Sequence, residues 1–361
     1  METCIDKQIL KFEGHRFTKQ QILETHPESL GDKEFTALFY FLHEWFNDSK
    51  TIKVHTSGST GSPKEILVEK ELMINSAAAT CNFLNLKSGD TALLCMSLDY
   101  IAGKMMVIRA LVCGLSLLVT EPSGHPLKNL YFPCTFVAMV PLQLFSTMKD
   151  PGERWLLGQI KHILIGGGAV DEKMEQELQS LPGRFWSTYG MTETLSHIAL
   201  RAMNGSNVSK YYTPMPNVSL SLSTENTLII DAPLVCRHQL QTNDIAELNV
   251  DGTFTIIGRK DNIINSGGIK IQIEEVENKL KPLMRQAYAI TSKPHEKFGE
   301  EVVLLLQKTE QSPSIDEINE KIKKNIPSYW QPKQIIYVEM IPKTETGKIN
   351  RVQAKILAAD K

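Results

Sequence analysis

The chain has six cysteines in 361 residues, but none forms a C-x-x-C pair and no histidine stands at metal-ligand spacing from them. Zinc-finger, thioredoxin-like and disulfide-framework readings are therefore excluded. Cys4, Cys81, Cys95, Cys113, Cys134 and Cys236 read as reduced structural thiols of a cytoplasmic protein. Long apolar runs are missing as well. A membrane-crossing helix needs about 20 consecutive apolar residues. The longest stretches here, such as Thr91–Leu98 and Leu115–Val119, are strand-sized, so no membrane insertion is expected. Asp6, Glu13, Glu24 and Glu28 lie near the start with no apolar segment between them, which argues against a secretory signal. An excess of one charge is also absent. The 39 Lys+Arg against 41 Asp+Glu give a net charge of -2, with no support for a nucleic-acid or membrane-surface role. Neither a G-x-G-x-x-G dinucleotide fingerprint nor a Walker A loop occurs, and there are no repeats or low-complexity tracts.

What remains is ordinary globular composition, 42% hydrophobic and 22% charged, at a length that suits roughly two domains. Glu34–Phe46 has apolar residues at helical spacing. From about residue 66, short apolar runs alternate with helix-length segments. Strands are expected at Thr91–Leu98, Leu115–Val119, Phe136–Val140, His162–Ile165 and Phe185–Tyr189, with helices at Ile101–Val112 and Asp171–Ser180. This alternation predicts an α/β layered domain with a partly parallel sheet. Residues 213–258 change character to short alternating strands, and Asp251-Gly252 marks a hairpin, so a β-rich module is expected there. A third pattern follows, with a helix at Ile271–Leu283, strands at Ala287–Thr291, Val302–Leu306 and Ile335–Met340, and a helix at Ile315–Asn325. The expected organisation is a large domain over residues 1–260 and a small α+β domain over 261–361.

One segment carries chemistry by itself. In Thr56-Ser57-Gly58-Ser59-Thr60-Gly61-Ser62-Pro63-Lys64, small residues let the backbone approach a ligand, hydroxyls add donors and Lys64 adds a positive charge. That is the chemistry of a polyphosphate cradle. The ordered string resembles the phosphate loop of the adenylate-forming superfamily of acyl-CoA synthetases, adenylation domains and luciferases. Further segments follow in that family's order. Tyr189-Gly190-Met191-Thr192-Glu193 resembles its Tyr-Gly-x-Thr-Glu motif, and Gly166-Gly167-Gly168-Ala169 its glycine turn beside adenine and the acyl group. Thr242-Asn243-Asp244 is similar to Thr-Gly-Asp, with Asn243 in place of the usual Gly. Gly258-Arg259-Lys260-Asp261 resembles the end of the large domain, Ser266-Gly267-Gly268 the pantetheine-channel loop, and Pro342–Lys348 the C-terminal Pro-x-Thr-x-x-Gly-Lys motif.

The resemblance implies ATP and CoA as co-substrates and Mg²⁺ as cofactor. It places Thr56–Gly61, Lys64, Gly167, Gly168, Tyr189, Gly190, Thr192, Asp244 and Arg259 around the nucleotide. Tyr189 would stack on adenine, Glu193 would hold the metal, Asp244 the ribose hydroxyls, and Lys348 the carboxylate and α-phosphate. Asp261 would be the hinge, and Gly267 and Gly268 would serve the thioester step. Only 54 residues precede the matched region, so a shortened N-terminal part is expected. Gly190–Arg201 resembles most narrowly the o-succinylbenzoate–CoA ligases of the menaquinone pathway. That acid has two carboxylates, and a buried one needs a cation or several donors. Tyr100, Lys104 and His197 are the expected acid-pocket residues, with Lys104 and His197 as the favoured pair. Arg109 reads as a helix-surface salt bridge and Arg201 as a loop residue. A ligase for another aryl or acyl acid, a carrier-protein loader, and a non-catalytic nucleotide-binding protein remain alternatives, and the oligomeric state stays open.

Overall fold

The computed structural model describes residues 5–55, 65–310, 312–344 and 348–360. Its main sheet has nine strands, in the order Thr213–Pro214, His197–Ala202, Arg184–Gly190, His162–Ile165, Phe136–Met139, Thr91–Leu94, Ser116–Val119, Leu10–Phe12 and His15–Phe17. The run from Arg184–Gly190 to Leu10–Phe12 is parallel, and the pairings outside it are antiparallel. Parallel strands are covered on both faces, which is why Thr91–Leu94 and Phe136–Met139 are apolar without alternation. The layered α/β expectation therefore holds, with an antiparallel margin at each side.

The local differences have physical causes. The strand from Thr91 stops at Leu94, four residues before the expected end. The chain then bends tightly into the helix Ile101–Cys113, where a Cβ on Gly103 would stand 2.3 Å from the Ser97 carbonyl oxygen. Just beyond the strand Phe136–Met139, Pro141 opens the helix Pro141–Lys149, and Pro151 opens the next, Pro151–Gln159. Proline suits the first turn of a helix because the N–H it lacks has no partner there.

The first residues complete one side of this sheet. Asp32 Oδ1 accepts from the Glu34 and Phe35 amides at 2.9 Å and so caps Lys33–Phe46. That helix buries Leu38, Phe39, Leu42, Trp45 and Phe46, and the Trp45 indole donates to Gln8 at 2.8 Å. The β-rich module is a four-stranded antiparallel sheet of Ser219–Leu222, Thr227–Asp231, Leu240–Leu248 and Phe254–Arg259.

Beyond Ile263 a five-stranded sheet forms. Its central strand Gly299–Gln307 is buried on both faces. Val302, Leu304 and Leu306 pack towards the helices Ile273–Leu280 and Ile315–Asn325, while Val303 and Leu305 pack towards Arg351–Ala359. The helix expected from Ile271 starts at Ile273, because Ile269–Gln272 pairs back on Ile263–Ser266. Gly267 and Gly268, at φ +60° and +83°, make the turn between these strands. Two consecutive left-handed residues are what a two-residue hairpin asks for. The clusters built on this sheet share no residue with those of the main sheet. No helix among the described residues is long and apolar enough to cross a membrane.

Candidate active site

In open α/β sheets, ligand clefts form at the carboxyl ends of the parallel strands. Here His162–Ile165 runs into Gly166–Gly168, and Arg184–Gly190 ends on Tyr189 and Gly190. The turn lies against the end of that neighbouring strand, since a Cβ on Gly166 would lie 2.6 Å from Thr188 Oγ1. Gly167 takes φ +79°, which bends the chain across the strand end.

Tyr189 leans on the β-rich module. Its hydroxyl donates to Asp244 Oδ2 at 2.6 Å, and its ring meets Phe254 edge-on at 5.2 Å. Burial first, then the Asp244 charge, raises the phenol pKa well above its usual value. Asp244 is held in turn by its amide on Thr242 Oγ1 at 3.0 Å, and Arg259 Nη1 reaches its other oxygen at 3.4 Å. Arg259 also clamps Asp261 with two bonds of 2.8 Å, from Nε and Nη2. This fork holds the Asp261 carboxyl below its ordinary range and raises the arginine. The expected ribose, phosphate and hinge residues thus form one continuous network. Tyr189 is tied to Asp244 and Phe254, and both bear on its expected role as an adenine platform.

Lys348 comes from the far end of the chain. Its Cε lies 3.9 Å from the position a Gly168 Cβ would take. The residue is exposed, yet the groups around its ammonium partly desolvate it. That desolvation, and then the Arg259 charge, lowers its pKa, while Asp244 partly opposes the shift. A cation held beside a second cation is an arrangement that a polyanion would relieve.

Glu193 is exposed on the short turn Thr192–Thr194. Thr194 locks that turn by accepting from the Met191 amide at 3.0 Å and donating to Ser196 O at 2.8 Å. Leu195 then adopts φ +65°, a costly conformation for a leucine, and sends the chain back beside Gly190. The approach is so close that a Cβ on Gly190 would stand 2.2 Å from Ser196 O. Thr56–Gly61 and Lys64 lie outside the described residues, as do Glu345–Gly347 of the C-terminal motif. The strands on either side of the former, Thr51–His55 and Glu65–Glu69, pair as a hairpin. Tyr100 stands at the N-cap of Ile101–Cys113.

The acid-pocket candidates fall into separate networks. Lys104 donates to the Lys53 carbonyl at 2.8 Å, lies 3.4 Å from Glu44 and sits over the Phe41 ring, so it braces the hairpin. His197 is buried between Thr80 and Ser196. No hydrogen bond or ion pair joins Lys104 to His197 among the described residues. Arg201 lies on a strand, not a loop, and is paired with Glu175. Arg109 is the larger correction. It is 2% exposed and not on a helix surface, and it forms no ion pair among the described residues. Nη2 donates to Ser196 at 2.7 Å, and Nε has no partner. Burial pushes its pKa down to about 10. A signal for this was present in the sequence: the helix IAGKMMVIRALVC is apolar on every side, so an arginine late in it cannot reach water.

The family model for AMP-binding enzymes matches residues 47–230, and that for the AMP-binding enzyme C-terminal domain matches 273–348. The chain belongs to the AMP-binding enzyme family. Among curated relatives, the 2-succinylbenzoate–CoA ligase of Salmonella typhimurium strain LT2 is 27% identical over 293 residues, 77% of this chain. This chain spans 62% of that relative's length. Among solved structures, the acyl-CoA synthetase (AMP-forming)/AMP-acid ligase II-like protein from Dyadobacter fermentans is 31% identical with a TM-score of 0.64. The match covers 94% of this AMP-binding enzyme and 98% of that chain. The o-succinylbenzoate CoA synthetase of Bacillus subtilis, solved with its acyl-adenylate, has a TM-score of 0.70 at 21% identity, covering 84% and 68%. That likeness speaks for the fold alone.

Proposed function

We propose that this AMP-binding enzyme is an AMP-forming acid–CoA ligase and that its acid is o-succinylbenzoate. The observation that carries the ligase reading is Lys348, which sits over the Gly166–Gly168 turn beside Arg259 and Asp244. In the first step the acid carboxylate attacks the α-phosphorus of ATP, the bond to the pyrophosphate oxygen breaks, and acyl-AMP and pyrophosphate result. Negative charge gathers on the α-phosphate, where Lys348 and Arg259 would help to neutralise it. In the second step the CoA thiol attacks the acyl carbon, AMP leaves and the thiol proton goes to solvent. Mg²⁺ would shield the phosphate charge. One carboxylate with phosphate oxygens and waters is a sufficient ligand set, and the exposed Glu193 fits it. Domain rotation about Asp261 would withdraw Lys348 and bring Gly267 and Gly268 to the thioester step.

Arg109 supports the choice of acid, together with the named relatives. A buried guanidinium without a carboxylate is an unbalanced cation. A diacid would bring the missing anion and leave its other carboxylate to react. The test is AMP and pyrophosphate release from Mg·ATP with o-succinylbenzoate, benzoate, a medium-chain fatty acid and a carrier-protein control, each with and without CoA. The expected result is AMP formation that needs both o-succinylbenzoate and CoA. Turnover with another acid refutes the substrate and keeps the ligase. ATP binding without turnover of any of these acids refutes the o-succinylbenzoate assignment and leaves an acid outside the panel or a non-catalytic nucleotide-binding protein.

A further inference from the structure

A buried chain of hydrogen bonds leads away from Arg109 and has no part in the nucleotide chemistry. Arg109 Nη2 meets Ser196 Oγ at 2.7 Å, Ser196 Oγ meets His197 Nδ1 at 3.3 Å, and His197 Nε2 meets Thr80 Oγ1 at 3.2 Å. Thr80 closes the chain on the Ser76 carbonyl at 3.0 Å. Three separate elements contribute: the helices Lys70–Phe83 and Ile101–Cys113, and the chain that returns after Leu195.

A guanidinium only donates and a carbonyl only accepts, so the two ends are fixed. Ser196 accepts from Arg109, and beside a neutral ring it donates its own hydrogen to His197 Nδ1. His197 therefore carries its proton on Nε2 and gives it to Thr80, which donates to Ser76. The Nε2–H is required to serve Thr80, and a neutral ring leaves Nδ1 to accept from Ser196. Burial and the Arg109 charge push the His197 pKa down to about 3, which agrees with a neutral ring.

We propose that His197 is a positioning residue that acts through Ser196 to aim Arg109 at the non-reacting carboxylate of a dicarboxylic acid. This rests on the diacid reading above. Arg109 gives one of its five N–H groups to Ser196, and Nε is without a partner. A long flexible side chain fixed at one corner presents its remaining donors as a preset fork, which suits a carboxylate. An acidic residue in place of Ser196 would hold the arginine equally well but would neutralise it. A hydroxyl orients the cation and leaves its charge for the ligand. His197 itself does not touch the acid. It fixes the Ser196 rotor, so that the hydroxyl lone pairs face the arginine.

The test compares o-succinylbenzoate with its analogue in which the non-reacting carboxylate is an amide, in the wild type and in His197→Leu and His197→Asn. Leucine removes the acceptor, whereas asparagine can place a carbonyl oxygen near the Nδ1 position. For His197→Leu the diacid KM should rise about tenfold, the worth of one well-placed contact. The KM values for the amide and for ATP should stay unchanged, and His197→Asn should restore most of the loss. Equal effects on diacid and amide, or a parallel rise in the ATP KM, would overturn the positioning role. Nitrogen-15 spectra of the wild type should show an unprotonated Nδ1 at pH 7. A protonated Nδ1 would overturn it as well, whether or not the leucine variant folds. If the wild type uses a different diacid, the substrate assignment fails alone and the same comparison is made with that acid and its amide. A wild type with no preference for diacid over amide overturns the inference.

Discussion

Replacing Arg109 with methionine should raise stability and lower activity together. The guanidinium is 2% exposed, and its pKa in the folded chain is about 10 against an ordinary 12.5. The charged form, which is present at pH 7, is therefore disfavoured by folding, by about 3 kcal/mol at 1.36 kcal/mol per pKa unit. Methionine removes that penalty and keeps most of the packing volume. It also leaves Ser196 without its donor, at about 1 kcal/mol. The net expectation is a gain of about 2 kcal/mol, seen as a higher urea midpoint or a Tm raised by several degrees in the ligand-free protein. Catalysis should move the other way. Without the cation, the second carboxylate is buried unpaired, and losing one partner of such a pair costs about 2–5 kcal/mol. For o-succinylbenzoate, kcat/KM should fall by a factor on the order of 100 or more, while the ATP KM stays unchanged. The diacid should also stop protecting the variant against heat. A methionine variant that unfolds earlier than the wild type and still selects the diacid would refute the reasoning, and Arg109 would then be a packing element.

Other perturbations have equally definite signs. His162 begins a central strand with both ring nitrogens unpartnered, and burial, then Lys161 and Arg184, lowers its pKa to about 4. The unfolded chain binds this proton more tightly, so stability should fall as pH drops from 6.5 towards 4, by up to about 3 kcal/mol. His162→Leu should flatten that part of a plot of urea midpoint against pH, leaving the share due to His197. An unchanged slope would count against the assignment. Gly190→Ala puts a Cβ 2.2 Å from Ser196 O and 2.6 Å from His197 Cα, both backbone atoms that cannot swing aside. A large fall in Tm with loss of ATP binding is expected, and near-normal values would show that the two strands can separate cheaply. Asp261→Pro should impair thioester formation from preformed acyl-adenylate more than it impairs adenylation. Equal loss in the two half-reactions would count against a hinge at that residue.

Where a segment's neighbours follow from its own periodicity, the fold was legible in the sequence. The helix through Phe46, the run of parallel strands and the Asp251-Gly252 hairpin all follow from spacing and turn chemistry. The helix from Pro141 was not legible, because the same ring that ends a strand also opens a helix, and only the packing of the following residues decides between them. The Gly267-Gly268 turn drew the apolar residues Ile269 and Ile271 into a strand, although they also suit the helix that follows. The residues expected around the nucleotide lie in local strings, whereas those proposed for the acid do not. Asp244 and Arg259 are cross-strand partners on consecutive strands, and each stands in a string of small and polar residues whose chemistry is local. The proposed acid side draws on single residues of Lys70–Phe83, Ile101–Cys113 and the turn after Leu195, whose hydrogen bonds connect positions up to 117 residues apart. No string announces such a pocket. Lys104 and Arg109 share one helix, and only the three-dimensional packing decides which cation braces a hairpin and which is buried without a counter-ion. An acid pocket built in this way can change its ligand through one helix residue while the nucleotide cleft stays as it is. Substrate choice in this enzyme should therefore be sought at Arg109 and its hydroxyl partner, and not at the glycine turns.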